Sequence, residues 1–134
     1  MLPNQGARMT AQVTIVGNLT REPEIRYTTA GVATTTLGVA VNRRWKHHGS
    51  DEVEEETSFF DVVCFNELAE NVALSITKGM RVVIPGRLSM RSWSDEEGRR
   101  RTKVEVVADD VAPSLRYATA SVSRIVRGDD ESPF

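Results

Sequence analysis

At 134 residues, with 40% hydrophobic and 27% charged positions, the chain suits one soluble globular domain that buries a core without disulfides or metals. A single cysteine, Cys64, excludes an internal disulfide framework and fits a reducing cytoplasm. No apolar run approaches the ~18 residues of a membrane span, and the start MLPNQGARM lacks the apolar centre of a signal peptide, so a cytoplasmic location with no membrane partner is expected. The formal net charge of −2 excludes nothing, because DEVEEE (51–56) holds five of the 19 acids and Asp129, Asp130 and Glu131 hold three more. Elsewhere 17 bases face 11 acids, and binding depends on where charge sits.

In chain order, residues 1–8 read as a flexible extension and a domain is expected over 9–113. QVTIVGNL (12–19) alternates, with Val13, Ile15 and Leu19 on one parity. GVATTTLGVAVN (31–42) sets Leu37, Val39 and Val41 against Thr34 and Thr36. A charged loop is expected over 43–56, and TSFFDVVCF (57–65) is the third strand. In NELAENVALSITKG (66–79) the period becomes helical through Leu68, Val72 and Ile76, with Asn66 suited to the N-cap, Lys78 to the last turn and Gly79 to C′. RVVIPGRLSMRSW (81–93) and RTKVEVVADDV (101–111) form a hairpin around SDEEGRR. Three strands, a helix and two strands is the order of an all-β OB-fold, a five-stranded Greek-key barrel with one α-helix between strands 3 and 4. Other small barrels and α+β sandwiches remain open on pattern alone.

Strand parity then sorts side chains. Phe60, Val62 and Cys64 are expected inside, as are Met80, Val82, Ile84 and Leu88, and Val104 with Val106. Asp61 should face water, which puts Phe59 and Phe65 on the solvated face with it. Arg81, Val83, Arg87, Arg91 and Trp93 form the outward parity of the next strand, and Arg101, Lys103 and Glu105 that of the last. In NRRWKHH, Trp45 stands between Arg44 and Lys46. Four aromatics beside cations suit single-stranded nucleic acid, because bases stack on rings and Arg or Lys neutralise phosphates. The expected stacking residues are Trp45, Phe59, Phe65 and Trp93; the phosphate contacts are Arg43, Arg44, Lys46, Arg81, Arg87, Arg91, Arg99, Arg100, Arg101 and Lys103. The bland alternative is that the aromatics cover a subunit interface or pack under loops. Duplex binding fits less well, since the one expected helix is acidic outside through Glu67 and Glu70.

Catalysis finds no support. His47 and His48 are adjacent, so a strand would point them apart, and no metal-ligand spacing surrounds them. Cys64 falls on the buried parity with no histidine near it in sequence. Asp61 with Glu67 or Glu70 straddles a strand and a helix, a poor nuclease set. No enzyme activity, metal or cofactor is expected.

VTIVGNLTREPEIRYTTAG, TSFFDVVCFNELAENV and KGMRVVIPGRLSMRSW resemble the bacterial single-stranded DNA-binding protein family from about Met9 to Pro113. The resemblance implies an OB-fold, usually a homotetramer, that wraps single-stranded DNA without sequence preference and is nucleoid-associated. It implies base stacking at Trp45, Phe59, Phe65 and Trp93. It also implies an acidic tip closing in Pro-Phe, here Asp129, Asp130, Glu131, Pro133 and Phe134, that docks onto replication, recombination and repair proteins. The chain departs from the family pattern at Phe59, where many relatives have Trp, at Asp61 on the binding face, at Ser132 and in the acidic run 51–56. Its connector, 114–128, is short and contains Val and Ile where relatives have a long Gly-, Gln- and Pro-rich linker, and an added strand is one expectation for it. The competing reading is an OB-fold interaction subunit that binds RNA or protein with weak affinity for single-stranded DNA.

Overall fold

The period-two runs fold as strands in a computed structural model that describes residues 11–126. The elements are β1 (Gln12–Leu19), β2 (Glu24–Tyr27), β3 (Ala33–Lys46), β4 (Val53–Phe65), α1 (Asn66–Ser75), β5 (Arg81–Ser94), β6 (Arg100–Ala108) and β7 (Ala112–Pro113). β1 pairs with β3 at Asn18↔Ala40 and, along its other edge, with β5 from Gln12↔Arg87 to Asn18↔Arg81. The path β1–β3–β4–β6–β5 therefore returns to β1 and closes a barrel. All its pairings are antiparallel except β4 with β6, at Val62↔Val106 and Val63↔Val107. This is the five-stranded OB-fold barrel expected from the element order, with β2 added outside β3 and β7 beside β5.

Alternation fills the interior with Ile15, Leu19, Leu37, Val39, Val62, Cys64, Val82, Ile84 and Val106. Ala69, Val72 and Ile76 bring the helix segment into the same cluster. The buried Thr35 hydroxyl donates to the Ala69 carbonyl at 2.7 Å, so the one buried polar side chain among the described residues ties β3 to α1 and is satisfied. Gly17 lies where strands approach too closely for a side chain: a Cβ there would sit 2.3 Å from the Ala40 carbonyl oxygen.

Several local expectations are corrected. The charged stretch 43–56 is largely strand, because β3 and β4 stay paired out to Lys46↔Val53 and leave only 47–52 as a loop. Arg43 opposes Glu56 and Arg44 opposes Glu55, and opposite charges facing across a ladder stabilise it. Asn66 is the first helical residue, at φ +61°, and Phe65 is the N-cap without a side-chain cap bond. The helix stops at Ser75: Ile76 turns extended and buries its side chain, so Lys78 and Gly79 fall in the following turn, not at the helix end. Leu88 and Val104 are exposed although they keep the inward parity. They lie on the β5–β6 arm, beyond Arg87, where the β1 pairing ends and no strand among the described residues covers them.

The described part of the connector, 114–126, contains no strand, and only Ala112–Pro113 pairs with β5. It lies along the barrel instead. The Ser114 N–H donates to the Arg81 carbonyl at 2.8 Å, and residues from Thr119 to Ser123 share a cleft with Leu68, Val72 and Ser75 of α1.

Candidate nucleic-acid interface

Residues opposed across a ladder share a face, so the register alone assembles the site. Phe59 opposes Ala40, Asp61 opposes Gly38 and Phe65 opposes Thr34. Val63 of the same parity aligns with Val107, which opposes Arg87; along that hairpin Glu105 opposes Ser89, Lys103 opposes Arg91 and Arg101 opposes Trp93. Phe59, Asp61, Phe65, Lys103, Arg101, Arg91 and Trp93 thus occupy one outer surface spanning β4, β6 and β5. The Lys103 ammonium reaches the Asp61 carboxylate at 3.3 Å, which joins the β4 and β6 parts directly. Phe59 is 73% exposed, Trp93 46% and Phe65 41%, so three flat rings stand open on it.

Trp45 is placed differently. Its cross-strand partner is Glu54, and it keeps the parity of Leu37 and Val39, opposite to that of Phe59. It sits half-buried on the β3–β4 arm with the Arg43 guanidinium 4.9 Å from its ring centroid. Arg91 lies similarly over Trp93, at 5.9 Å. Cations over ring faces gain quadrupole attraction and hold the rings in place.

Most of the expected phosphate-binding side chains already face carboxylates. Arg44 meets Glu55 at 3.6 Å, Arg87 meets Asp109 at 3.6 Å and Arg91 meets Glu105 at 3.5 Å. Arg99 meets Glu97 at 2.9 Å and Arg101 meets Asp95 at 3.0 Å. The exposed pairs of Arg44, Arg87 and Arg99 contribute about 0–1 kcal/mol, so a phosphate can displace the acid at little cost, whereas Glu105 and Asp95 are largely covered. Lys46 and Arg100 are exposed and form no ion pair among the described residues. Arg81 stands apart. It opens β5 at the end remote from Trp93, its Nε is buried without a partner among the described residues, and the connector's Tyr117 ring lies 5.7 Å from its guanidinium.

One cation of the face escapes the sequence reading. Arg21, in the turn after β1, reaches Asp61 at 3.5 Å. Its guanidinium passes over Gly38, where a Cβ would lie 2.2 Å from Nη1, so the missing side chain forms the trough that carries it. Nothing periodic marks Arg21. The available signal was the outward Asp61, which calls for a counter-charge from elsewhere in the chain.

The β5–β6 turn is fastened by Asp95. Its carboxylate accepts the Arg99 N–H at 2.8 Å, the Arg101 Nε–H at 3.0 Å and the Glu97 N–H at 3.0 Å. The bond from the Arg99 backbone does most to hold this carboxyl below its ordinary value of 3.8, with Arg101 and the Glu97 N–H adding to it. A lowered folded-state pKa stabilises the turn above the unfolded value and is lost as pH falls through the folded one. Acidification below pH 3.8 should therefore loosen the turn, read as a change in Trp93 emission that Asp95→Asn no longer shows. An identical acid transition in that variant would reject the assignment.

The predicted tip residues Asp129, Asp130, Glu131, Pro133 and Phe134 lie outside the described residues, as does the extension 1–8. No helix among the described residues is long and apolar enough to cross a membrane.

The family model of the single-strand binding protein family matches residues 10–114. The chain is 47% identical over 116 residues to the single-stranded DNA-binding protein of Mycobacterium leprae, covering 86% of this chain and 69% of that one. The protein of the same name from Mycolicibacterium smegmatis is 46% identical over 116 residues, covering 86% and 70%. That from Paenarthrobacter aurescens is 42% identical over 120 residues, covering 89% and 70%. With that coverage and a closed OB-fold barrel, the chain belongs to the single-strand binding protein family.

Proposed function

We propose that the chain is a non-catalytic protein that binds single-stranded DNA across sequences. Bases stack on Phe59, Phe65 and Trp93, with Trp45 engaging from the β3–β4 arm. Phosphates are neutralised by Arg43, Arg44, Lys46, Arg87, Arg91, Arg99, Arg100, Arg101 and Lys103, joined by Arg21. Arg81 drops out of this set because the connector covers it at the far end of β5. The observation that carries the reading is the continuous outer surface on which open aromatic rings alternate with loosely paired bases. Rings accept any base and cations accept any phosphate, so the surface suits a flexible strand rather than a duplex groove.

In the cell, on this reading, the protein protects exposed strands in the cytoplasm, associated with the nucleoid, and assembles as a homotetramer. Its tip, Asp129, Asp130, Glu131, Pro133 and Phe134, recruits replication, recombination and repair proteins. The relatives' shared name supports the strand-binding part of this proposal.

Titration with oligo-dT should quench tryptophan emission while a duplex of equal length does not; equal affinity for both would overturn the reading. The dT affinity should fall with salt at a log–log slope of about −0.7 per phosphate contact. Stronger binding of oligo-rU than of oligo-dT would favour an RNA-binding OB-fold subunit instead.

A further inference from the structure

Asp61 is an unusual residue to find between stacking rings. It shares a face with Phe59 and Phe65 on β4, and a carboxylate there repels phosphate. Two cations nonetheless flank it. Arg21 Nη2 lies 3.5 Å from one carboxylate oxygen and Lys103 Nζ lies 3.3 Å from the other, while the side chain stays 38% exposed. Arg21 is itself lodged in the trough over Gly38. Both oxygens are thus oriented from the two sides, and each keeps a lone pair free toward solvent, since a carboxylate has about four acceptor sites. These two solvent-accessible contacts bias the carboxylate's orientation rather than lock it.

We propose that Asp61 reads the edge of a base stacked on Phe59, its neighbour on the same face, and so gives the protein a graded base preference. The inference rests on the strand-binding function proposed above and adds composition selectivity to it. Residues two apart on a strand are roughly 6.6 Å apart on one face, about the distance from a stacked ring's centre to the edge groups of a base above it. A carboxylate only accepts hydrogen bonds. Cytosine offers its N4 amino group, and guanine offers N1–H and N2–H side by side, matching two carboxylate oxygens. Thymine has one donor, N3–H, but it lies between the O4 and O2 acceptors, whose partial charges repel the carboxylate, whereas the cytosine amino group has an open side. Arg21 and Lys103 offset the carboxylate's repulsion of the flanking phosphates, so the acid can sit on this face without abolishing binding. Because the two cations bias the carboxylate's orientation before the base arrives, part of the ordering cost is already met.

The test compares oligo-dC and oligo-dT of equal length on the full chain and on Asp61→Asn, which keeps the shape, removes the charge and presents a donor. The dC-to-dT affinity ratio should fall by about fivefold in the variant, at the low end of what one base-edge contact discriminates. Glu70→Gln, which removes one exposed carboxylate from α1, should leave the ratio unchanged. If Asp61→Asn raises or lowers both affinities by the same factor, Asp61 acts only as a charge and the proposal is overturned. Failure of the unsubstituted chain to bind either oligomer would instead reject the strand-binding function itself.

Discussion

Replacing Trp93 with alanine should weaken oligo-dT binding by about 1–3 kcal/mol, the contribution of one base stacked on an aromatic side chain. That is roughly a 5- to 150-fold loss in affinity. The expectation rests on position. Trp93 sits near the end of β5, half open to solvent, with Arg91 over its ring and Arg101 opposite it on β6. Removing the indole deletes the stacking plane and leaves the Arg91 head group held by Glu105 alone. Trp93→Phe should recover most of the affinity, because a smaller ring still presents a π-face. Trp45 remains as the fluorescent reporter in both variants, so the same titration measures all three proteins. Unchanged affinity in the alanine variant would remove Trp93 from the interface.

Leu37→Ala should destabilise the fold by about 2–5 kcal/mol, a large share of the roughly 5–15 kcal/mol that small domains possess. Leu37 is wholly inaccessible at the middle of β3, opposite Val62 and among Val39, Ile84 and Val106 in the central cluster. Truncation loses the transfer energy of the removed methyl and methine groups and leaves a cavity that a closed barrel cannot readily collapse. Urea titration should show an earlier midpoint with an unchanged slope. Because Leu37 has the parity opposite to Phe59, single-strand affinity measured well below that midpoint should be unaffected. A loss under 1 kcal/mol would show that the barrel relaxes around the gap.

Parity carried most of what was legible in the sequence. Val62 and Cys64 inside with Phe59 and Phe65 outside follows from Asp61, whose burial unpaired would have been too costly. The helical stretch was legible from Leu68, Val72 and Ile76, but its ends were not. The periodicity continues through Ile76, which is buried as expected but extended, so the apolar pattern outlasts the helix by a residue. The β3–β4 arm was hidden because a run of acids reads as solvated loop until its partners Arg43 and Arg44 are known to lie opposite. Leu88 and Val104 have the right parity and the wrong environment, since where β1 stops covering β5 depends on barrel closure. Arg21 was missed and Trp45 was set in a loop for related reasons: one is brought to the face by a contact forty residues away in sequence, and the other lies on a strand that was read as loop.

The chain's one cysteine has a consequence for how the barrel's motions can be followed. Cys64 is fully enclosed on β4, and burial pushes its thiol up to about 12, so the folded protein holds no thiolate for a reagent to find. Alkylation must wait for β4 to part from its neighbours, and its rate then reports the local opening equilibrium directly. The sequence therefore contains a native single-residue clock for breathing of the strand that carries Phe59 and Phe65. No added label disturbs the surface being timed.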